Sequence, residues 1–165
     1  MKAMTLARAA ARDISFIMAC ERRPDYERLV GRWPEAQHIA TMAEPDFIYL
    51  VGSADGERRG FVILHDRFLG FPNLYLKRLA VHDANRGFGR VLLAAVTDWV
   101  FANTETHRFW LEVVETNTRA AHVYRSLGWR EEGCVREGFV EPDGTRGSYI
   151  QMSLLRPEWQ APRTA

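Results

Sequence analysis

Cysteine is scarce, with only Cys20 and Cys134 in 165 residues; they lie far apart and without metal-ligand spacing, and although they could pair, free thiols are the simpler reading. Both are expected as buried free thiols in a reducing compartment. No apolar run approaches the length of a membrane span, and the N-terminus lacks the apolar core of a secretion signal. An excess of either charge is also missing. The 22 basic residues face 21 acidic ones, and the formal net charge is +1. That balance supplies no long-range field to gather nucleic acid or a lipid surface. No histidine–carboxylate set has metal-ligand spacing, so no metal is expected. Repeats and low-complexity segments are absent too. These absences point to a cytoplasmic protein with neither nucleic acid nor membrane as partner, folded as a single domain over residues 1–165.

What is present is a globular pattern rich enough in apolar residues to bury a full core. MTLARA reads as a short edge strand, and Asp13 to Glu21 as a helix with Ile14, Ile17 and Met18 on one face. The polar stretch from Arg22 to Asp46 holds three prolines and reads as short helices and a mobile loop, with Pro34 at a helix start. Phe47 to Val51 is a strand. SADGERRG is a hairpin turn with Asp55-Gly56 as its signal, and GFVILHDRF is the partner strand. LGFPN breaks the pattern, and Leu74 to Val81 resumes it as a strand. From Gly89 to about Asn103 the apolar spacing is helical, with Leu92, Val96 and Trp99 on one face. Arg108 to Val114 is a strand with Trp110, Glu112 and Val114 on one side. Asn117 can cap a helix that carries Ala120, Tyr124 and Leu127 and ends at Gly128. Trp129 to about Phe139, the turn Pro142 to Gly144 and SYIQMSLL complete the chain. The order predicts an α/β (α+β) domain with one mixed central sheet and helices on both faces. An apolar exterior strand at the C-terminus would suit a homodimer.

The stretch NRGFGRVLL, Asn85 to Leu93, joins a strand to a helix. The first amides of that helix have no internal partners, and the macrodipole makes its start partially positive. Gly87 and Gly89 let an anion approach the backbone, while Arg86 and Arg90 add charge. The turn therefore suits a phosphate or pyrophosphate, unless its glycines serve only the turn itself. It is not a P-loop, since no lysine and hydroxyl follow. It is not a dinucleotide fingerprint either, since Leu92 stands where the third glycine belongs.

LKRLAVHDANRGFGRVLLAAV resembles the acetyl-CoA motif of the GNAT-type N-acetyltransferases, [Q/R]-x-x-G-x-[G/A]. Arg86 takes the first position, Gly89 the glycine, and Val91 stands where Gly or Ala is usual. HRFWLEVVETNTRAAHVYRSLGW is similar to the family's second motif: a strand, an Asn, and a helix with a Tyr before Leu-Gly-aromatic. The RGFGR wording and the closing SLLRPEW look most like the subgroup containing the ribosomal-protein alanine acetyltransferases. The resemblance covers residues 74 to 155 best.

It implies a fold with two central parallel strands, 74–81 and 108–114, that splay apart. The pantetheine arm of acetyl-CoA would lie in the gap against backbone groups of Leu79, Ala80 and Val81. Its pyrophosphate would rest on Arg86, Gly87, Phe88, Gly89, Arg90 and Val91, and Asn117 would bond the pantetheine or cap its helix. The reaction implied is acetyl transfer to a primary amine, on a protein N-terminus or a small molecule. An alkyl ammonium, with a pKa near ~10, must lose a proton before attack. The tetrahedral adduct needs a backbone N–H facing its oxyanion, and the departing thiolate benefits from a donor. Tyr124 matches the family's helix tyrosine and is the candidate donor; otherwise it is a core aromatic. Glu112, a carboxylate interrupting an apolar strand twelve residues earlier, is the candidate base; otherwise it faces solvent or pairs with an arginine. Arg22, Arg23, Arg28 and Arg32 either line a substrate wall or form a solvated face, and VEPDGTRGSY is the opposite wall. His82 reads as a surface imidazole, or else as a group that could titrate at the strand end, and His107 and His122 carry no pattern. A non-catalytic acyl-CoA-binding domain of the same fold is the competing reading, and a nucleotide-binding module a third.

Overall fold

The computed structural model describes residues 3–24, 26–66, 71–83, 86–141 and 143–161. Asn85, Phe68 to Gly70 and Pro142, which the sequence assigned to a turn, a strand end and a break, lie outside the described residues. In chain order come β1 (Thr5–Arg8), a 3-10 turn (Ala11–Asp13), α1 (Ile14–Glu21), α2 (Glu35–Ala43), β2 (Phe47–Ala54), β3 (Glu57–His65) and β4 (Asn73–Val81). They are followed by α3 (Phe88–Asn103), β5 (Arg108–Val114), α4 (Thr118–Ser126), β6 (Arg130–Val140), β7 (Arg146–Leu155) and α5 (Arg156–Gln160).

The seven strands form one mixed sheet in the order β1-β2-β3-β4-β5-β7-β6. Alternation along each strand gives the sheet two faces. Leu74, Leu76, Phe109, Leu111 and Val113 pack with Leu92, Val96 and Val100 of α3 and Ala121 of α4. Tyr49, Phe61, Ile63 and Ala80 pack on the other face with Ile17 and Cys20 of α1. Each such Leu, Val or Phe removed from water contributes about 1.5–3 kcal/mol of gross burial.

β4 and β5 are the parallel pair, and they touch over three rungs: Asn73 with Arg108, Leu74 with Phe109, and Tyr75 with Trp110. Just beyond, the register of β3 against β4 skips between Ile63 and Leu64, which leaves Lys77 unmatched on β4. A bulge of this kind bends its strand. Past Tyr75 the two strands part, and a cleft opens through the middle of the sheet.

The Asp55-Gly56 turn is tighter than SADGERRG implied. Both residues are left-handed, φ 58° and 77°, which is the two-residue hairpin turn that matches strand twist. The strands therefore run up to it on both sides. Of the expected short helices between Arg22 and Asp46, the described residues show one, α2, and Pro34 is its cap. The C-terminal strand is not exterior: β7 lies between β5 and β6, because the long β6–β7 hairpin folds it inward, and the sheet edges are β1 and β6. Cys20 is buried and its thiol is pushed up to about 12 by burial, but Cys134 is exposed on β6 rather than buried. α5 was not expected. Its Arg156 guanidinium donates to the carbonyls of Phe101, Thr104 and Thr106 at 2.7, 2.6 and 2.9 Å, closing the end of α3. No helix among the described residues is long and apolar enough to cross a membrane.

Candidate functional site

The gap between β4 and β5 is a cleft of about 580 Å³, within the usual range for small-molecule sites. One end is formed by Gly87, Phe88 and Gly89 at the start of α3 together with Asn117 and Tyr124 of α4. The other is formed by Glu112, Tyr75 and Tyr149, with the segment 26–31 and the end of β6 as walls. Leu79, Val81 and Arg90 also line it. Ala80, Arg86 and Val91 do not: Ala80 is buried in the α1 layer, and Arg86 is exposed beside Asp83.

Gly87 caps α3 in the left-handed region, φ 77°, and no side chain caps that end. The amides of Phe88, Gly89 and Arg90 precede the first intrahelical bond, from Val91 N to Gly87 O at 3.3 Å. Gly89 differs from Gly87 in having no left-handed torsion. A Cβ built on it meets nothing within 4 Å, so neither backbone conformation nor packing requires glycine there. The open space over a helix start is what a group approaching the backbone needs. The turn is braced from the side: Arg59 pairs with Glu57 at 2.6 Å and Asp83 at 3.4 Å, and its guanidinium covers the Phe88 ring at 5.0 Å. Arg90 reaches the Ser126 hydroxyl and carbonyl, tying α3 to the end of α4.

Asn117 caps α4, accepting from Ala120 N at 3.2 Å. The capped helix carries Tyr124 into the cleft. Tyr124 packs 5.8 Å from Trp129, and burial pushes its phenol up to about 12. Part of its surface stays open, and its hydroxyl has no hydrogen-bond partner among the described residues. Glu112 projects from the opposite face of β5, because Leu111 and Val113 are turned into the α3 layer. It is half-buried, accepts a hydrogen bond from Tyr75 at 3.2 Å and pairs with no arginine among the described residues. Tyr149 beside it is raised by burial and then by the charge of Glu112. The two candidate proton-handling groups thus reach one cleft from opposite faces of the sheet.

His82 is exposed and bonded to Asp83, and His107 and His122 are exposed. Of the four arginines of the 22–32 segment, Arg22, Arg28 and Arg32 are exposed, as a solvated face requires, and Arg23 is half-buried, yet each also has a partner within the protein. Arg22 donates to Trp33 O at 2.8 Å, Arg23 to His82 O at 2.9 Å, Arg28 pairs with Asp143 at 2.9 Å, and Arg32 with Glu27 at 3.6 Å. The Arg28 pair links the two walls named from sequence.

Sequence reasoning missed a buried polar network behind the first wall. Glu21 and His38 are 0% exposed and Arg78 is 9% exposed. Arg78 donates to Glu21 at 2.5 Å, His38 Nε2 to Glu21 at 3.2 Å, and the Tyr49 hydroxyl lies 3.3 Å from His38 Nδ1. The Trp33 amide donates to Glu21 at 3.3 Å, and the Arg78 guanidinium lies 4.5 Å over the Trp33 ring. One signal was available: Glu21 is a carboxylate at the end of the apolar helix run that begins at Ile14.

Comparison with known proteins bears on the family and the fold. A spermidine N(1)-acetyltransferase of Vibrio cholerae is 33% identical over 61 residues, a match that spans 37% of this chain and 35% of that protein. The solved structure of a Vibrio cholerae spermidine N-acetyltransferase in complex with CoA and spermine superposes with a TM-score of 0.83 at 20% identity, covering 96% of this chain and 98% of that one. The ribosomal-protein-S18-alanine N-acetyltransferase of Escherichia coli superposes with a TM-score of 0.74 at 22% identity, covering 98% of each chain. These likenesses show a shared fold. The sequence pattern of the acetyltransferase (GNAT) family matches residues 14–129, and the chain belongs to that family.

Proposed function

We propose that this protein transfers the acetyl group of acetyl-CoA to a primary amine bound together with it. The observation that carries the reading is the single cleft joining an anion-receptive helix start to two proton-handling side chains on opposite faces of the sheet. Bound acetyl-CoA supplies an activated acyl group and a thiolate leaving group. The amides of Phe88, Gly89 and Arg90 would take the pyrophosphate, in the space a side chain at 89 would fill. The unpaired stretch of β4 past Tyr75 leaves backbone groups for the pantetheine.

Glu112 removes the proton of the arriving ammonium. Tyr124 offers its hydroxyl to the sulfur as charge develops there. The amine enters between the segment 26–31 and the β6–β7 hairpin, on the face that Glu112 occupies. Spermidine and spermine, the amines named for the relatives, are the first acceptors to try, and a peptide N-terminus is the next.

Calorimetry tests the first half of this reading. Acetyl-CoA is expected to bind, and NAD and ATP to bind much more weakly. Failure of acetyl-CoA to bind would remove the proposal. Thiol release with an amine panel tests the second half: binding without turnover on any amine would favour a sensing domain. Gly89→Asp should weaken acetyl-CoA binding about 10- to 100-fold, because its carboxylate would occupy the anion position. The same change should leave the melting temperature unchanged or slightly higher, since an acidic residue suits a helix start. Glu112→Gln should lower kcat about 100-fold at neutral pH. That loss should shrink as pH rises toward the amine's own pKa of about 10, where the acceptor arrives already neutral.

A further inference from the structure

We propose that Tyr75 is the positioning residue for Glu112, an inference that rests on Glu112 being the base. Tyr75 occupies the last rung on which β4 pairs with β5, opposite Trp110. The two strands part beyond it, and Tyr75 itself lines the cleft. Its ring is packed on Trp110, with centroids 4.4 Å apart, and the residue is only 9% exposed. A phenol held in this way cannot follow a moving partner.

The Glu112 side chain, by contrast, has three rotatable bonds and a broad terminal torsion. The Tyr75 hydroxyl donates to Oε2 of Glu112 at 3.2 Å and thereby selects one orientation of the carboxylate. Oε1 is engaged by no described residue and remains for the amine. Orientation of this kind contributes to rate when the group it fixes takes part in the reaction. The bulge at Lys77 gives the arrangement its place in the fold. The rung that ends strand pairing also carries the residue that aims the base.

Tyr75→Phe is the test, because it keeps the ring and its packing and removes only the hydroxyl. With acetyl-CoA saturating and spermidine as acceptor, kcat should fall about five- to tenfold, the size expected for one ordinary hydrogen bond. KM for acetyl-CoA should stay as in the parent protein. The decisive measurement is the double variant. In a Glu112→Gln background, Tyr75→Phe should add no further loss, since its effect passes through the carboxylate. A Tyr75→Phe protein with parental kcat overturns the inference, and so does a loss that multiplies in full with that of Glu112→Gln. The two levels fail separately. Parental kcat in Glu112→Gln removes the base reading and Tyr75's role with it. A slow Glu112→Gln beside a normal Tyr75→Phe removes the positioning role alone.

Discussion

Tyr124→Phe is expected to lower kcat about 100-fold while changing the affinity for acetyl-CoA little. The magnitude is that of deleting one preorganised donor aimed at developing charge. Burial pushes the Tyr124 phenol up to about 12, whereas a thiol titrates near ~8.5. Complete transfer of the phenolic proton to the sulfur is therefore uphill. In the proposed reaction the hydroxyl would act by donating a hydrogen bond as the carbon–sulfur bond breaks. That distinguishes it from a freely titrating acid, and the pH profile reports the difference. A raised pKa means that the protonated form is lost only as pH rises through about 12, so kcat should show no alkaline decline from Tyr124 below that range. Steady-state rates with spermidine from pH 7 to 10 check this, and a parental kcat in Tyr124→Phe would reduce the residue to a core aromatic. Its packing against Trp129 survives in the variant, so loss of fold is not an alternative explanation.

Arg78→Met should cost about 3–5 kcal/mol of stability. The change leaves the Glu21 carboxylate buried with His38, the Trp33 amide and the more distant Arg22 guanidinium at 3.5 Å, and removing the shortest-bonded partner of a buried pair is penalised on that scale. Against a total of about 5–15 kcal/mol, the loss should lower the melting temperature by roughly 10 °C. Urea unfolding measures it, and a loss below about 1 kcal/mol would show that the network is not anchored by the guanidinium.

Its pH dependence follows from Glu21. Burial alone would raise that carboxyl, but the hydrogen bond from His38 and the charge of Arg78 outweigh burial and hold it below the ordinary range. A lowered folded pKa contributes stability that is complete above the unfolded value, about 4.3, and is lost as pH falls through the folded one. The gap between parent and variant should therefore be constant from neutrality to about pH 5 and close below about pH 4. The change also bears on the acceptor wall. A Cβ on Gly31 would approach Arg78 Nη2 to 2.5 Å, so this part of the wall rests directly on the guanidinium. KM for the amine should rise in Arg78→Met more than KM for acetyl-CoA.

Periodicity found α3 and α4 because each has one face in a core, whereas β2, β3 and β4 stood out as short apolar runs because both of their faces are covered. Leu92, Val96 and Val100 recur at the helical spacing for that reason. Asp55-Gly56 was legible because few dipeptides accept two left-handed torsions. α5 was not, because it is five residues long and held by Arg156 and Trp159 against α3, contacts that leave no periodic trace. The inward place of β7 was hidden for a similar reason: a strand's neighbours depend on which hairpin folds over which edge. The exposure of Cys134 follows from the same placement of β6 at the sheet edge.

Sequence by itself determined the anion-receptive turn, the family and the two proton-handling residues as candidates, because these depend on residue types at short, fixed spacings. Only the tertiary structure decided that Glu112 and Tyr124 enter one cleft from opposite faces, that the bulge at Lys77 opens that cleft, and that Tyr75 meets Glu112 across the last rung. It also brought Glu21, His38 and Arg78 together from three separate elements. Contacts between residues distant along the chain carry no local signature, since they arise from how the sheet bends and which faces its helices cover.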